Sequence, residues 1–323
     1  MVSPDPFVIG TRGSELALWQ ANFVRAKLES RGHRVEIETI STRGDRVQDV
    51  PISEIGDEAV FTKELDRALL SGDIHAAVHS LKDVPSQLPD GITLGAVSDR
   101  ENPLDAFVAH PSFDGHLHDL PEGATVATAS LRRKAQLKAW RTDLNVVPVR
   151  GNVDSRLEKM DRSDWHGMIL AVAGLLRMGR SARIRDHISE EIMVPAVAQG
   201  ALGVAHASEH PEVGAALQEA LHHTITARCT AAERAFLRKV GGGCQVPLGA
   251  WARMEDEDTL RLDACIADLD GTEAYRGHRT GPPSEAEAMG RDLAEELLAA
   301  GGADILFAIL GDRSGSGHSP FQP

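Results

Sequence analysis

Short apolar runs alternate with segments of helical period along the first two-thirds of the chain, and the alternation starts twice. In the first series Phe7 to Ile9 reads as a strand. Ser14 to Leu28 reads as a helix, with Leu16, Trp19, Phe23 and Val24 spaced for a buried face and Lys27 in a basic last turn. Val35 to Ile40 is a second strand, Phe61 to Leu70 a second helix, and Ile74 to His79 and Ile92 to Val97 are further strands. The second series runs strand Thr125 to Ala127, helix Ser130 to Trp140, strand Val146 to Val149, helix Val153 to Met160 and strand Met168 to Ala173. Alternation of this kind builds parallel α/β units, so the chain is expected to form two doubly wound domains with a ligand cleft at the C-terminal ends of their strands.

After about residue 220 the pattern changes. Thr226 to Val240 reads as a helix, and Leu248 to Arg253, Thr259 to Ile266 and Glu273 to Thr280 read as an antiparallel meander. Glu285 to Ala300 reads as a second amphipathic helix before a last strand, Ile305 to Leu310. A smaller α+β domain follows from this. The expected boundaries are residues 1–100 with 200–218 for the first domain, 101–199 for the second and 219–312 for the third. The Gly/Ser/Pro-rich end, 313–323, reads as a tail without fixed structure.

At 323 residues one hydrophobic core would not serve the whole chain. The longest apolar run, Met168 to Leu176, is far shorter than the roughly 20 residues that cross a bilayer. The opening MVSPDPFVIG has no basic segment followed by a long apolar one, so a cytoplasmic protein is expected. Cys229, Cys244 and Cys265 are odd in number and widely spaced, which argues against a disulfide framework or a zinc site. A net charge of −14 argues against nucleic acid as a partner. Between Arg132 and Arg185, however, basic residues outnumber acidic ones, and an acidic chain with one arginine-rich third is suited to a small polyanion.

The polar motifs sit where strands end. TRGS, Thr11 to Ser14, joins a strand to a helix and offers either an anion site, with Arg12 and Ser14 beside the helix N-terminus, or a plain N-cap. TASLRRK repeats the device with Thr128, Ser130, Arg132 and Arg133; adjacent arginines on a helix point apart, so one of them can be structural. VRGNVDSR adds Arg150 and Arg156, and AGLLR adds Arg177. One substrate with several carboxylates explains arginines at three strand ends. HSLKDVP places Lys82 beside Asp83, either a cleft carboxylate able to stabilise a developing cation or a turn residue with a surface ion pair. GGGCQVP, Gly241 to Pro247, strips side chains from the approach to Cys244. That thiol either occupies an awkward turn or carries something bulky; His222 and His223 are possible partners for it by residue type, and Cys229 and Cys265 read as buried apolar side chains.

Taken together, TRGSELALWQA, STRGD, HSLKDVP, ASLRRKAQL, VRGNVDSRL, ILAVAGLLRMG, PAVAQGALG and GGGCQVPLGA resemble the porphobilinogen deaminase (hydroxymethylbilane synthase) family in order and spacing, from about Val8 to Leu310. The resemblance implies two periplasmic-binding-protein-like α/β domains plus the α+β domain. It implies a dipyrromethane cofactor in thioether linkage to Cys244, on which four porphobilinogen molecules are condensed head to tail with release of ammonia, before hydrolysis frees hydroxymethylbilane. It also implies Asp83 as the catalytic carboxylate. Arg12, Ser14, Lys82, Thr128, Ser130, Arg132, Arg133, Arg150, Arg156, Arg177 and Gln199 match cofactor- and substrate-binding positions. The enzyme so implied is a monomer whose partner is its small-molecule substrate.

Some residues depart from the family pattern. Ala129 lacks a usual hydroxyl, Glu58 stands where lysine is common in a lid segment, Gly241 replaces a common glutamate and Glu15 a usual proline. Two other classes compete with the enzyme. A two-domain solute-binding or effector-sensing protein for polycarboxylates would need neither Asp83 nor Cys244, and a cysteine hydrolase would need a histidine partner for its thiol.

Overall fold

The computed structural model describes residues 4–42, 62–241 and 246–311. Cys244, the lid segment 56–61 and the tail 313–323 therefore lie outside the described residues.

The first series folds as β1 (Phe7–Thr11), α1 (Glu15–Glu29), β2 (Val35–Thr39), α2 (Lys63–Ser71), β3 (Ala76–Ser80) and β4 (Ile92–Val97). The second folds as β5 (Asp105–Ala109), β6 (Thr125–Ala127), α3 (Leu131–Trp140), β7 (Asn145–Val147), α4 (Val153–Asp161), β8 (Gly167–Ala171), α5 (Val172–Arg177) and β9 (Asp186–Ile188). β10 (Leu202–Ala207) and α6 (Pro211–Leu221) then return to the first sheet.

The two sheets are built alike, in the orders β2-β1-β3-β10-β4 and β7-β6-β8-β5-β9. In each, four strands run the same way, three of them paired in parallel as the alternation predicts, while an inserted strand, β10 or β5, runs antiparallel to both its neighbours. The sheets are thus mixed rather than wholly parallel. Both inserted strands follow a crossover of the chain from one sheet to the other. The crossovers touch: the Glu101 N–H donates to the Gly200 carbonyl at 3.1 Å, and a Cβ on Gly200 (φ +94°) would collide with the Glu101 carbonyl oxygen. Glycine is required there by both the backbone angle and the close approach.

The α1 helix starts on Ser14, whose side chain accepts from the Ala17 N–H, with Glu15 in its first turn and Lys27 in its last, each suited to the helix dipole. Its buried face differs from the expected one. Ala17, Gln20, Ala21, Val24 and Leu28 are buried, whereas Trp19 is 38% exposed and stacks on Phe23, which packs half-buried against the edge of the core. Small residues on the inner face let the helix lie close to the sheet, and the large rings are left to pair with each other.

The last part of the chain carries α7 (Thr224–Val240), an antiparallel sheet of β11 (Leu248–Met254), β12 (Leu260–Ala267) and β13 (Ala274–Gly281), then α8 (Ala286–Leu297) and α9 (Ala303–Gly311). Phe236, Leu262, Ile266, Leu293 and Leu297 form its core. Residues 305–310, expected as a strand, are helical. An apolar run of that length is ambiguous between strand and helix; here Gly301 (φ +129°) turns the chain, and Ile305 and Leu306 bury against the same core. Likewise the strand expected through Ala173 ends at Ala171, where α5 begins. Gly241 caps α7 at φ +72°, a conformation that glycine adopts more readily than the glutamate of the family pattern.

Candidate active site

The cavity between the two α/β sheets encloses about 810 Å³, and strand ends from both sides supply its wall. From the first sheet come Arg12 and Ser14, after β1, and Ser80, Lys82 and Asp83, where β3 runs into a single 3₁₀ turn, Leu81–Asp83. Gln20 Nε2 donates to Ser80 Oγ at 2.7 Å and pins that turn to α1. From the second sheet come Arg133 on α3, Arg150 after β7, Arg156 on α4 and Arg177 at the end of α5, while Gln199 enters from the second crossover. Asn152 caps α4, accepting from the Ser155 N–H at 2.8 Å, and Arg156 Nε donates to the Gly151 carbonyl at 2.7 Å. Both bonds hold the turn that leads from Arg150 into α4.

Nine of the expected residues meet in this one cavity: Arg12, Ser14, Lys82, Asp83, Arg133, Arg150, Arg156, Arg177 and Gln199. Thr128, Ser130 and Arg132 are not part of its lining. Ser130 N-caps α3, and Thr128 Oγ1 accepts from the Ser130 N–H at 3.2 Å. Arg132 turns inward, donating to Asp105 Oδ2 at 2.7 Å and to the Val194 carbonyl at 2.8 Å, so it is the structural member of the arginine pair. His222 and His223 do not line the cavity either. His222 Nδ1 accepts from the Val97 N–H, and His223 caps α7 by accepting from the Thr226 N–H. Cys229 and Cys265 are buried, as expected of apolar packing.

Among the described lining residues the bases are Arg12, Lys82, Arg133, Arg150, Arg156 and Arg177, and the single acid is Asp83. Crowded cations in a half-buried wall should resist protonation, and several do. Burial lowers the Lys82 pKa to about 8, with Asp83 opposing the shift and Arg133 adding to it. Burial, then Arg133 and Arg150, lowers Arg156 to about 10. Arg133 and Arg177 are also shifted down by burial. Such a wall is stabilised by whatever brings negative charge into it.

Sequence reasoning did not single out Asp105. It is fully buried behind the wall, bonded to Arg132, Arg133 and Gln199, and those partners hold its carboxyl well below the usual range despite burial. Nothing local in the sequence marks it, because its partners lie far along the chain. The volume and charge of the cavity fit a small polycarboxylate such as a two-pyrrole group with acidic side chains. Among the described residues no three His, Cys, Asp or Glu side chains cluster as metal ligands, and no helix is long and apolar enough to cross a membrane.

Comparison with known proteins agrees with this wall. Residues 7–215 match the sequence profile of the porphobilinogen deaminase dipyrromethane cofactor binding domain, and residues 227–299 that of the porphobilinogen deaminase C-terminal domain. A porphobilinogen deaminase of Syntrophomonas wolfei is 47% identical over 300 residues, covering 92% of this chain and 97% of that protein. One of Chromobacterium violaceum is 43% identical over 310 residues, covering 95% and 99% respectively. Among solved structures, a probable amino-acid ABC transporter extracellular-binding protein of Bacillus subtilis matches with a TM-score of 0.42 and 10% identity, over 68% of this chain and 90% of that one. With both profiles matched in order and identity above two-fifths over almost the whole length, the chain belongs to the porphobilinogen deaminase family.

Proposed function

We propose that the chain carries out the family's reaction, condensing four porphobilinogen molecules head to tail on a dipyrromethane primer and releasing hydroxymethylbilane for tetrapyrrole synthesis. The observation that carries this reading is the cavity wall, whose described residues include six cations and a single carboxylate, Asp83. Each porphobilinogen brings an acetate and a propionate, so Arg12, Arg133, Arg150, Arg156, Arg177 and Lys82 have carboxylates to bind at every stage of growth. Ser14 and Gln199 supply neutral hydrogen bonds in the same wall, and Thr128, Ser130 and Arg132 support it from behind.

Asp83 has the different task. Loss of ammonia from the substrate's aminomethyl group leaves a cation on the pyrrole, and a carboxylate held beside it stabilises that charge and accepts or returns the protons exchanged. The enclosure strengthens the field of the Asp83 carboxylate relative to water. The dipyrromethane, when bound, would supply the free pyrrole α-carbon to which the first substrate is joined, and each later substrate would join to the terminal pyrrole of the growing chain. We assign its attachment to Cys244, at the end of the GGGC segment. A glycine-rich approach in the sequence supports that assignment, since glycine carries no side chain to obstruct a bulky arm. The substrate is small and anionic, and we further propose that the enzyme works as a cytoplasmic monomer, which sedimentation at working concentration tests.

Intact mass and peptide mapping of the protein and of Cys244→Ser, with turnover of porphobilinogen measured alongside, test the reading. The expected result is a two-pyrrole adduct on Cys244, absent from the variant together with activity. An unmodified wild-type thiol that also fails to load from porphobilinogen would overturn it.

A further inference from the structure

Asp105 opens β5 and is 0% exposed, although it lies directly behind a wall that gathers anions. Its Oδ1 accepts from Arg133 Nε at 2.9 Å, Arg133 Nη2 at 2.7 Å and Gln199 Nε2 at 3.0 Å, and its Oδ2 accepts from Arg132 Nη1 at 2.7 Å. Charge alone gives no reason for it to be there, since a buried carboxylate repels the ligands the wall attracts. Stability is a weak reason too, because a buried ion pair often does no better than apolar side chains of the same volume.

Geometry supplies the reason. Asp105 takes one whole edge of the Arg133 guanidinium, and the Ile169 carbonyl takes a further donor at 3.1 Å, so the fork is held in one orientation in the cavity wall that Arg133 lines. Gln199, fixed on Asp105 through its amide nitrogen, accepts from Lys82 Nζ at 3.3 Å through its oxygen. One carboxylate thereby reaches a cation on each side of the cleft, Arg133 from the second sheet and Lys82 from the first.

We propose that Asp105 is a positioning residue that aims Arg133 and, through Gln199, Lys82 at the carboxylates of the bound pyrroles. The inference rests on the function proposed above, since it takes the ligand to be a polycarboxylate. Charge and position predict opposite results for Asp105→Asn. The substitution makes the site one unit more positive, so a purely electrostatic role would leave loading equal or raise it. A positioning role lowers it, because a guanidinium free to turn no longer presents its donors.

The test measures, by intact mass, the fraction of folded protein carrying the dipyrromethane adduct in wild type, Asp105→Asn, Arg133→Lys and the double variant, with near-ultraviolet circular dichroism to establish folding. The expected loading of folded Asp105→Asn is lower by roughly tenfold or more. The double variant should load no worse than the poorer single one, because both changes break the same fork. Wild-type or higher loading of Asp105→Asn overturns the proposal, as do fully additive losses. Should Asp105→Asn yield no folded protein, Arg133→Lys decides: it keeps the charge and loses the fork, so normal loading overturns the proposal and poor loading supports it. A wild-type protein without adduct would instead bring down the functional reading itself.

Discussion

Arg100 and Glu233 form a two-bond ion pair, at 2.6 and 3.2 Å, between the first crossover and the long helix α7. Glu233 has no exposed side-chain surface, and its oxygens also accept from the Ala198 N–H at 2.6 Å and the Ala252 N–H at 2.8 Å. Arg100 Nε donates to the Gln199 carbonyl at 2.9 Å. Both crossovers and β11 thus converge on one carboxylate, which fixes the direction from which Gln199 enters the cavity. Glu233→Ala leaves Arg100 nearly buried without a counter-charge and orphans two backbone donors, so a loss of about 3–5 kcal/mol is expected in urea unfolding. A loss below about 1 kcal/mol, typical of exposed pairs, would show that the junction does not depend on it.

His79 lies in β3 at 6% exposure, and burial, then the neighbouring Arg12, lowers its pKa to about 4 from 6.5. Between those values the unfolded chain binds more protons than the folded one, so stability falls as the pH drops from 6.5 through about 4. The full effect is about 3 kcal/mol at 1.36 kcal/mol per pKa unit. His79→Gln should flatten this part of the stability–pH curve. A slope unchanged in the variant would assign acid sensitivity elsewhere, for example to His75 or His222, which burial also shifts down.

Much of this architecture is legible in the sequence because it is local. Parallel strand–helix units carry their own periodicity, and Ser14, Ser130 and Asn152 announce helix starts that the structure keeps. The arginines stand out because they recur at strand ends, and that recurrence places Arg133, Arg150, Arg156 and Arg177 in one wall. β5, β9 and β10 are not legible in the same way. Each is made a strand by partners distant along the chain, as where Val204 of β10 lies opposite Val78 of β3. Asp105 sits at the start of such a strand, and its importance exists only once Arg132, Arg133 and Gln199 arrive from elsewhere. The 305–310 segment fails for a simpler reason: apolar residues without clear alternation do not specify a period.

Asp83→Asn separates chemistry from binding. The amide keeps the shape of the turn that carries it and leaves the cations of the wall in place, so fold and cofactor loading should persist. Turnover should fall by about 10²- to 10⁴-fold, because an amide neither balances a developing cation nor takes its proton. A variant that turns over at the wild-type rate would remove Asp83 from the mechanism, and one that fails to load would make it a binding residue instead.

Lys82 gives two opposite dependences on pH from one residue. Its pKa, lowered to about 8 mainly by burial, means that the ammonium is lost from the ligand-free site as pH rises through that value. Ligand carboxylates need the charged form. In Cys244→Ser protein, which on the proposed attachment carries no primer, porphobilinogen binding measured by calorimetry should therefore weaken above pH 8, approaching tenfold per unit at most. Stability changes in the other direction. Between about 8 and 10.5 the unfolded chain holds the proton that the folded chain has released, so the ligand-free protein becomes more stable across that window. Lys82→Arg, made in the same background, stays charged throughout and should remove both slopes. Binding that weakens equally in the arginine variant would mean that another group controls the alkaline limb. A slope in binding without its opposite in stability would show that Lys82 titrates only after the ligand has arrived.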